Sequence, residues 1–445
     1  MPNPDKSTSR LRRIVSVGFG VAIIFGGTIG VGILRMPAIV AGYTSNPFLF
    51  IFFWILGGFI AMVGASIYAE LGTRMPYAGG PFVFAQKAFG DKIGFLTGCS
   101  DWFFQTTAVS YLSIAIAEYI NRLMHWNLHL GISASLITLS FVFMQWQGLK
   151  SSSNFQKFMS VANFLCLVLF VGACFSYFFI NTSAQPDKPL VADTLPVISI
   201  FVLSIRAVFL TFTGWNCAVY FNEEDTDPNR NLPRALFIGV ISVTFIYALI
   251  NLGLLAVLPL PVMAKTNLPA ADAAQVIFGG QGGNIVTVIS IVSLIACLSA
   301  TMLIPQRILF AISRRGLFFN AFSELNKNAI PGNALLLTAV ISIIFSLTGI
   351  FNVVVNIAAL FALLADLSVY VSIVFIRRQN PALKPPYRAW VYPLSAIFMI
   401  AVSLSLAVGL FIEDTANCLY AILILAATFP FYLLFKRQNM KPSDG

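Results

Sequence analysis

Apolar runs of about 20 residues recur along the whole chain, divided by short polar stretches that carry most of its charge. A helix of that length crosses roughly 30 Å of hydrocarbon. The pattern predicts twelve spans, near 14–42, 47–71, 93–120, 130–147, 155–180, 196–221, 235–260, 284–312, 333–350, 353–376, 389–411 and 416–435. The gaps reach only about 20 residues, too short for a soluble domain. The expected organisation is a tail over 1–13, a first five-helix repeat over 14–181 and a second over 196–377. Two peripheral helices over 389–435 and a tail over 436–445 complete it.

Composition agrees with that pattern. The chain is 58% hydrophobic and 10% charged, against roughly 25% charged in soluble proteins. The fold class is therefore an all-α polytopic membrane protein, with the lipid bilayer as its surroundings. The net charge of +10 needs placing before it means anything. With both tails on one side, that side holds 20 of the 27 Lys and Arg, and the other holds only Arg122, Lys188 and Lys265. The positive-inside rule then puts both termini in the cytoplasm. The basic excess is topological, so no nucleic-acid partner is expected. Short loops and the lack of extracellular domains suggest a bacterial inner membrane. The first span is too long for a signal peptide and is expected to stay as an anchor. Nothing in the pattern selects an oligomeric state.

Two spans are weakened near their middles. Span 1 reads FGGTIGVGILRMP over 25–37 and is broken at Gly30-Val31-Gly32; span 6 carries Thr211, Thr213, Gly214 and Asn216. A lone glycine cluster is explained more simply by close helix packing. A second cluster at the matching place in the other half favours a binding site between inverted repeats. Five spans per repeat, an odd number, make the second half insert upside down. In hydrocarbon an unpaired backbone group costs several kcal/mol, so such breaks persist where they line a cavity or grip a polar ligand. Free amides beyond Gly30 attract a carboxylate, and free carbonyls on the other side attract an ammonium.

Intramembrane charges mark further candidates. Arg35 and Arg206 lie on the outer side of the breaks, each costing roughly 2.5–3.5 kcal/mol to insert. Either they guard an outer vestibule that draws in a carboxylate-bearing substrate, or they pair with Glu118 or Asp366. Asp366, mid-span in span 10, is the best candidate for a titrating carboxylate. Asp101, in the inner third of span 3, is expected to close an inner gate with a basic loop residue or to cap. The acidic run NEEDTDPNR, 222–230, lacks the register of a calcium loop and is expected to be a solvated cytoplasmic loop. Six cysteines without C-x-x-C spacing and an isolated His125/His129 pair imply neither disulfides nor a metal site. No resident cofactor is expected. Neither Ser–His, G-x-S-x-G, H-E-x-x-H nor a paired Asp motif occurs within spans, so an enzyme is not expected. A channel-like pore is disfavoured because one internal site between inverted repeats is not a symmetric filter.

Three stretches carry a resemblance: GTIGVGI, then YAELGTRMPYAGGPFVFAQKAFGDKIGF over 68–95, and GWNCAVYFNEEDTDPNRNLPRA over 214–235. Together they are similar to the amino acid–polyamine–organocation superfamily, and the last to its L-type amino acid transporter branch. The resemblance covers 14 to about 377 and implies a LeuT-type fold that moves amino acids by alternating access. It implies that the amides of Val31 and Gly32 hold the substrate carboxylate. The carbonyl of Thr28 and those around Phe209, Leu210 and Phe212, beside Thr213 and Gly214, would hold the ammonium. Where relatives close an aromatic over the substrate this chain has Leu210, leaving Phe209 or Phe212 for that role. Many relatives carry a lysine in span 5 at the position of Asn163. Its replacement implies either ion-independent exchange or a bound coupling cation, Na+ or H+, with hydroxyls of Ser299 and Thr301 as candidate ligands. A polyamine or cationic amino acid antiporter is the alternative within the class, and Arg35 and Arg206 argue against it unless acids neutralise both.

Overall fold

The computed structural model describes residues 11–30, 32–180, 196–266, 268–379 and 385–439. Helices α1 (Val17–Thr28), α2 (Gly32–Tyr43), α3 (Pro47–Arg74), α4 (Pro81–Phe89), α5 (Asp91–Met124), α6 (Leu130–Trp146) and α7 (Leu149–Ile180) form the first half. The second half holds α8 (Val197–Thr211), α9 (Pro228–Val257), α10 (Leu260–Met263), α11 (Pro269–Phe278), α12 (Gly282–Met302), α13 (Pro305–Arg314), α14 (Gly332–Leu347) and α15 (Phe351–Gln379). Helices α16 (Leu394–Glu413) and α17 (Thr415–Asn439) follow. Among the described residues, seven helices are long and apolar enough to cross a membrane, and eight if the bent pair α1–α2 counts as one span. The long α5 and the shorter apolar α6, α8 and α14 lie where the other predicted spans fall.

Local chemistry explains the boundaries. Asn46 caps α3 by accepting from the amides of Phe48 (2.9 Å) and Leu49 (3.4 Å), with Pro47 at the first helical position. The predicted span 284–312 divides instead at Leu303-Ile304, because Pro305 has no N–H to continue the ladder. Two connections contain helices that the hydropathy pattern does not separate from loops: α4 after span 2, and α10 with α11 after span 7.

Corresponding members of the two halves pack on each other. The second spans meet as α3 on α9, the third as α5 on α12, and the fourth as α6 on α14. This pairing is the one expected of two repeats related by a two-fold axis, with the first members, α1–α2 and α8, interrupted at the centre. Away from that centre, Phe143, Phe158, Leu169 and Leu423 stand exposed, a surface suited to lipid rather than water.

Candidate functional site

The first break begins where α1 stops. Ile29 turns to φ −86°, ψ 90°, and the amide of Gly30 reaches only the Thr28 carbonyl, at 3.1 Å. The chain resumes at Gly32 with α2 bent 51° from α1. Val31 lies outside the described residues. The second break begins after Thr211, where Phe212 and Thr213 close tight turns onto the carbonyls of Phe209 and Leu210. Gly214 then takes φ +110°, and a short 3-10 turn over Cys217–Phe221 continues inward.

These breaks touch. A Cβ at Gly214 would collide with the Gly27 carbonyl oxygen and lie 3.2 Å from the Thr28 amide nitrogen. Both the positive φ and this approach call for glycine. Tyr247 of α9 joins the two half-helix ends, its hydroxyl 3.0 Å from the carbonyls of Thr28 and of Thr211. Phenol has one proton, so the two carbonyls share it. Gly32 faces Thr211, with 3.2 Å from its Cβ direction to the threonine methyl, whereas Gly30 has open room up to the Cys297 sulfur at 3.7 Å.

Beside the second break lies a cavity of about 20 Å³, room for roughly one water. Its lining includes Asp101, Phe209, Thr213, Gly214, Trp215 and Asp366. Phe209 is the break aromatic that faces it, while Phe212 packs edge-on against Tyr247 at 5.0 Å. Leu210 is 38% exposed on the outside of α8. Asp366 accepts a 2.5 Å hydrogen bond from Tyr68, and Asp101 accepts one of 2.9 Å from Tyr220. The second oxygen of Asp101 is buried with no partner.

Several charge expectations need correcting. Asp101 meets no basic loop residue; it sits about 15 Å along α5 from the helix start, facing the 3-10 turn. Arg206 pairs with Glu413 at the end of α16, not with Glu118 or Asp366. Arg35 is exposed on α2 and makes no ion pair among the described residues, although its charge reaches Glu118. The acidic run is solvated only in its second half, where Thr226, Asp227, Asn229 and Arg230 are exposed. Glu224 is buried in a two-armed pair with Arg307 of α13, at 2.6 and 3.0 Å, and Arg307 lies over the Phe221 ring at 4.4 Å. Glu223 holds Arg314 through two 2.6 Å bonds and accepts from the Ala78 amide at 3.0 Å. The Glu224 carbonyl also accepts from the amides of Ile14 and Val15, tying the chain before α1 to the chain after the second break. A third carboxylate, Glu70 of α3, binds Arg74, Arg377 and the Ala389 amide. Together these pairs tie α3, α13 and α15 to the loops beside them.

Tyr247, Tyr68, Tyr220 and Arg307 were not singled out by the sequence reading. Arg307 did carry a signal: an arginine inside an apolar run needs a carboxylate, and an acidic run follows the other break. Asn163 is buried, and its carbonyl oxygen accepts from Ser293 at 2.6 Å, one span-8 hydroxyl away from the expected pair. Ser299 and Thr301 are both buried, Ser299 with an unpartnered hydroxyl. The hydroxyl of Thr28 is likewise buried and unpartnered.

A family model described as "Amino acid permease" matches residues 20–429. Curated relatives align over nearly the whole chain. The serine/threonine exchanger SteT of Bacillus subtilis (strain 168) is 25% identical over 435 residues, covering 96% of this chain and 98% of its own. The Asc-type amino acid transporter 1 of Mus musculus is 25% identical, with 97% and 83% covered. The b(0,+)-type amino acid transporter 1 of Mus musculus is 24% identical, with 97% and 89% covered. These relatives are transporters and exchangers, not enzymes. This chain, an integral membrane protein, belongs to the amino acid permease family.

Proposed function

We propose that the chain carries amino acids across the membrane by alternating access, gripping the substrate's backbone between the two breaks. The observation that supports this best is the meeting of Gly214 with Gly27 and Thr28 under the Tyr247 hydroxyl. There, carbonyls freed from helical pairing can face an ammonium, and the N-terminal end of α2 at Gly32 can face a carboxylate. Thr28, Gly30, Val31, Gly32, Phe209, Phe212, Thr213 and Gly214 form the substrate site in this reading, with Leu210 dropping out because it faces outward.

Transport is by exchange. Asn163 replaces a cation with a neutral amide and turns its nitrogen, without a partner, into the protein. The membrane is a bacterial inner membrane with both termini cytoplasmic, since the basic residues gather on that side. The ion pairs at Glu70, Glu223 and Glu224 are then the closed cytoplasmic gate. A sodium-coupled reading has one observation of its own, the unpartnered buried hydroxyls of Thr28 and Ser299.

Purified protein in liposomes separates these. Exchange predicts uptake of labelled amino acid only into vesicles preloaded with unlabelled amino acid, indifferent to sodium or a pH gradient. Uptake into empty vesicles that follows sodium selects symport. Failure to move any amino acid under either condition rules out the proposed substrate class.

A further inference from the structure

The cavity beside the second break holds two carboxylates and no compensating charge. Asp101 comes from α5 and Asp366 from α15, and among the described residues lining the cavity none is basic. The cations nearest in kind are committed elsewhere: Arg307 to Glu224, Arg377 to Glu70 and Arg314 to Glu223. Tyr220 and Tyr68 each supply one hydroxyl proton to these acids. Asp101 is 1% exposed, yet its second oxygen accepts no hydrogen bond from the described residues. Buried carboxylates are kept only where something satisfies them.

We propose that Asp101 and Asp366 form a cation subsite that takes the ammonium or guanidinium of a substrate side chain, so that this permease carries cationic amino acids. The proposal rests on the backbone grip described above and adds the identity of the side chain. The walls suit an organic cation better than a bare ion. Phe104, Phe209, Trp215 and Tyr220 line the same space, giving an apolar bed for a methylene stem and ring faces for its charged end. The two outer arginines do not oppose such a substrate as their positions in the sequence suggest. Arg206 is neutralised by Glu413, and Arg35 stands exposed with its charge reaching Glu118. The cavity's closed volume of about 20 Å³ means the side chain enters when the helices around it part.

The test uses the full chain in liposomes preloaded with a mixture of unlabelled lysine and alanine, measuring uptake of labelled lysine and of labelled alanine. Lysine exchange is expected, and Asp101→Asn and Asp366→Asn should each lower the lysine-to-alanine uptake ratio by about tenfold or more. Thermal unfolding of each purified variant, with and without lysine, keeps loss of fold apart from loss of recognition: the wild-type midpoint rises with lysine and the variants' midpoints do not. Alanine exchange with neither lysine nor arginine transported or inhibitory overturns the cation subsite and leaves the amino acid reading standing. An unchanged lysine-to-alanine ratio in both variants overturns it as well. Transport of no amino acid at all removes the backbone grip, and the subsite with it.

Discussion

Arg307 and Glu224 form a buried two-armed ion pair that links α13 to the chain just past the second break. The same glutamate's carbonyl receives the amides of Ile14 and Val15, so one residue holds the segments leading into the first break and out of the second. Neither segment can move away from the other without breaking a contact to Glu224.

Removing one partner leaves the other charge buried and alone. Arg307→Met or Glu224→Gln alone should destabilise the protein by about 3–5 kcal/mol, whereas the double change should cost far less. Thermal unfolding of the two singles and the double forms the cycle. Additive losses would show that the pair is not energetically coupled.

Glu223 carries a pH dependence whose sign can be worked out. Burial pushes its carboxyl up, but the Arg314 hydrogen bonds and charge, with the Ala78 amide, more than offset this and hold it below the usual range. A lowered folded value stabilises the folded protein above the unfolded value of about 4.5, and that contribution is lost as pH falls from there through the folded value. Stability of the wild type should therefore drop below about pH 4.5 more steeply than that of Arg314→Gln. Parallel pH dependence of the two melting midpoints from pH 6 down to about 2.5 would contradict this.

The hydroxyl of Tyr247 is shared by the ends of two half-helices. Tyr247→Phe keeps the ring, which packs on Trp54 and Phe212, so the protein should fold with a loss of about 1 kcal/mol. Transport should fall more than stability does, because both carbonyls lose the group that orients them. Wild-type exchange rates in the phenylalanine variant would assign Tyr247 to packing alone.

Two glycines near the breaks make opposite predictions. Gly214→Ala meets the Gly27 carbonyl and an unfavourable φ of +110°, costing about 1–2 kcal/mol from the dihedral alone. It should abolish exchange. Gly30→Ala finds nothing nearer than the Cys297 sulfur at 3.7 Å and should fold normally. Gly32→Leu, pressed against Thr211, should lose substrate binding while the protein still folds. Full uptake by that variant would remove the first break from the site.

The class of protein and the places of its two breaks were legible along the chain, since they follow from local properties. Hydrophobic length sets a span, glycine weakens a helix where it stands, and Pro47, Pro228 and Pro305 start helices where they fall. Only the tertiary structure decided which charges meet. Arg307 and Glu224 are 83 residues apart, and Tyr68 and Asp366 are 298 apart. A charge in an apolar run announces that it needs a partner, but several partners satisfy that need equally on paper, as Glu118 and Asp366 did for Arg206. Helix packing chooses among them by distance, so the first half of NEEDTDPNR is buried rather than solvated and Asp101 stands at a cavity wall, not a gate.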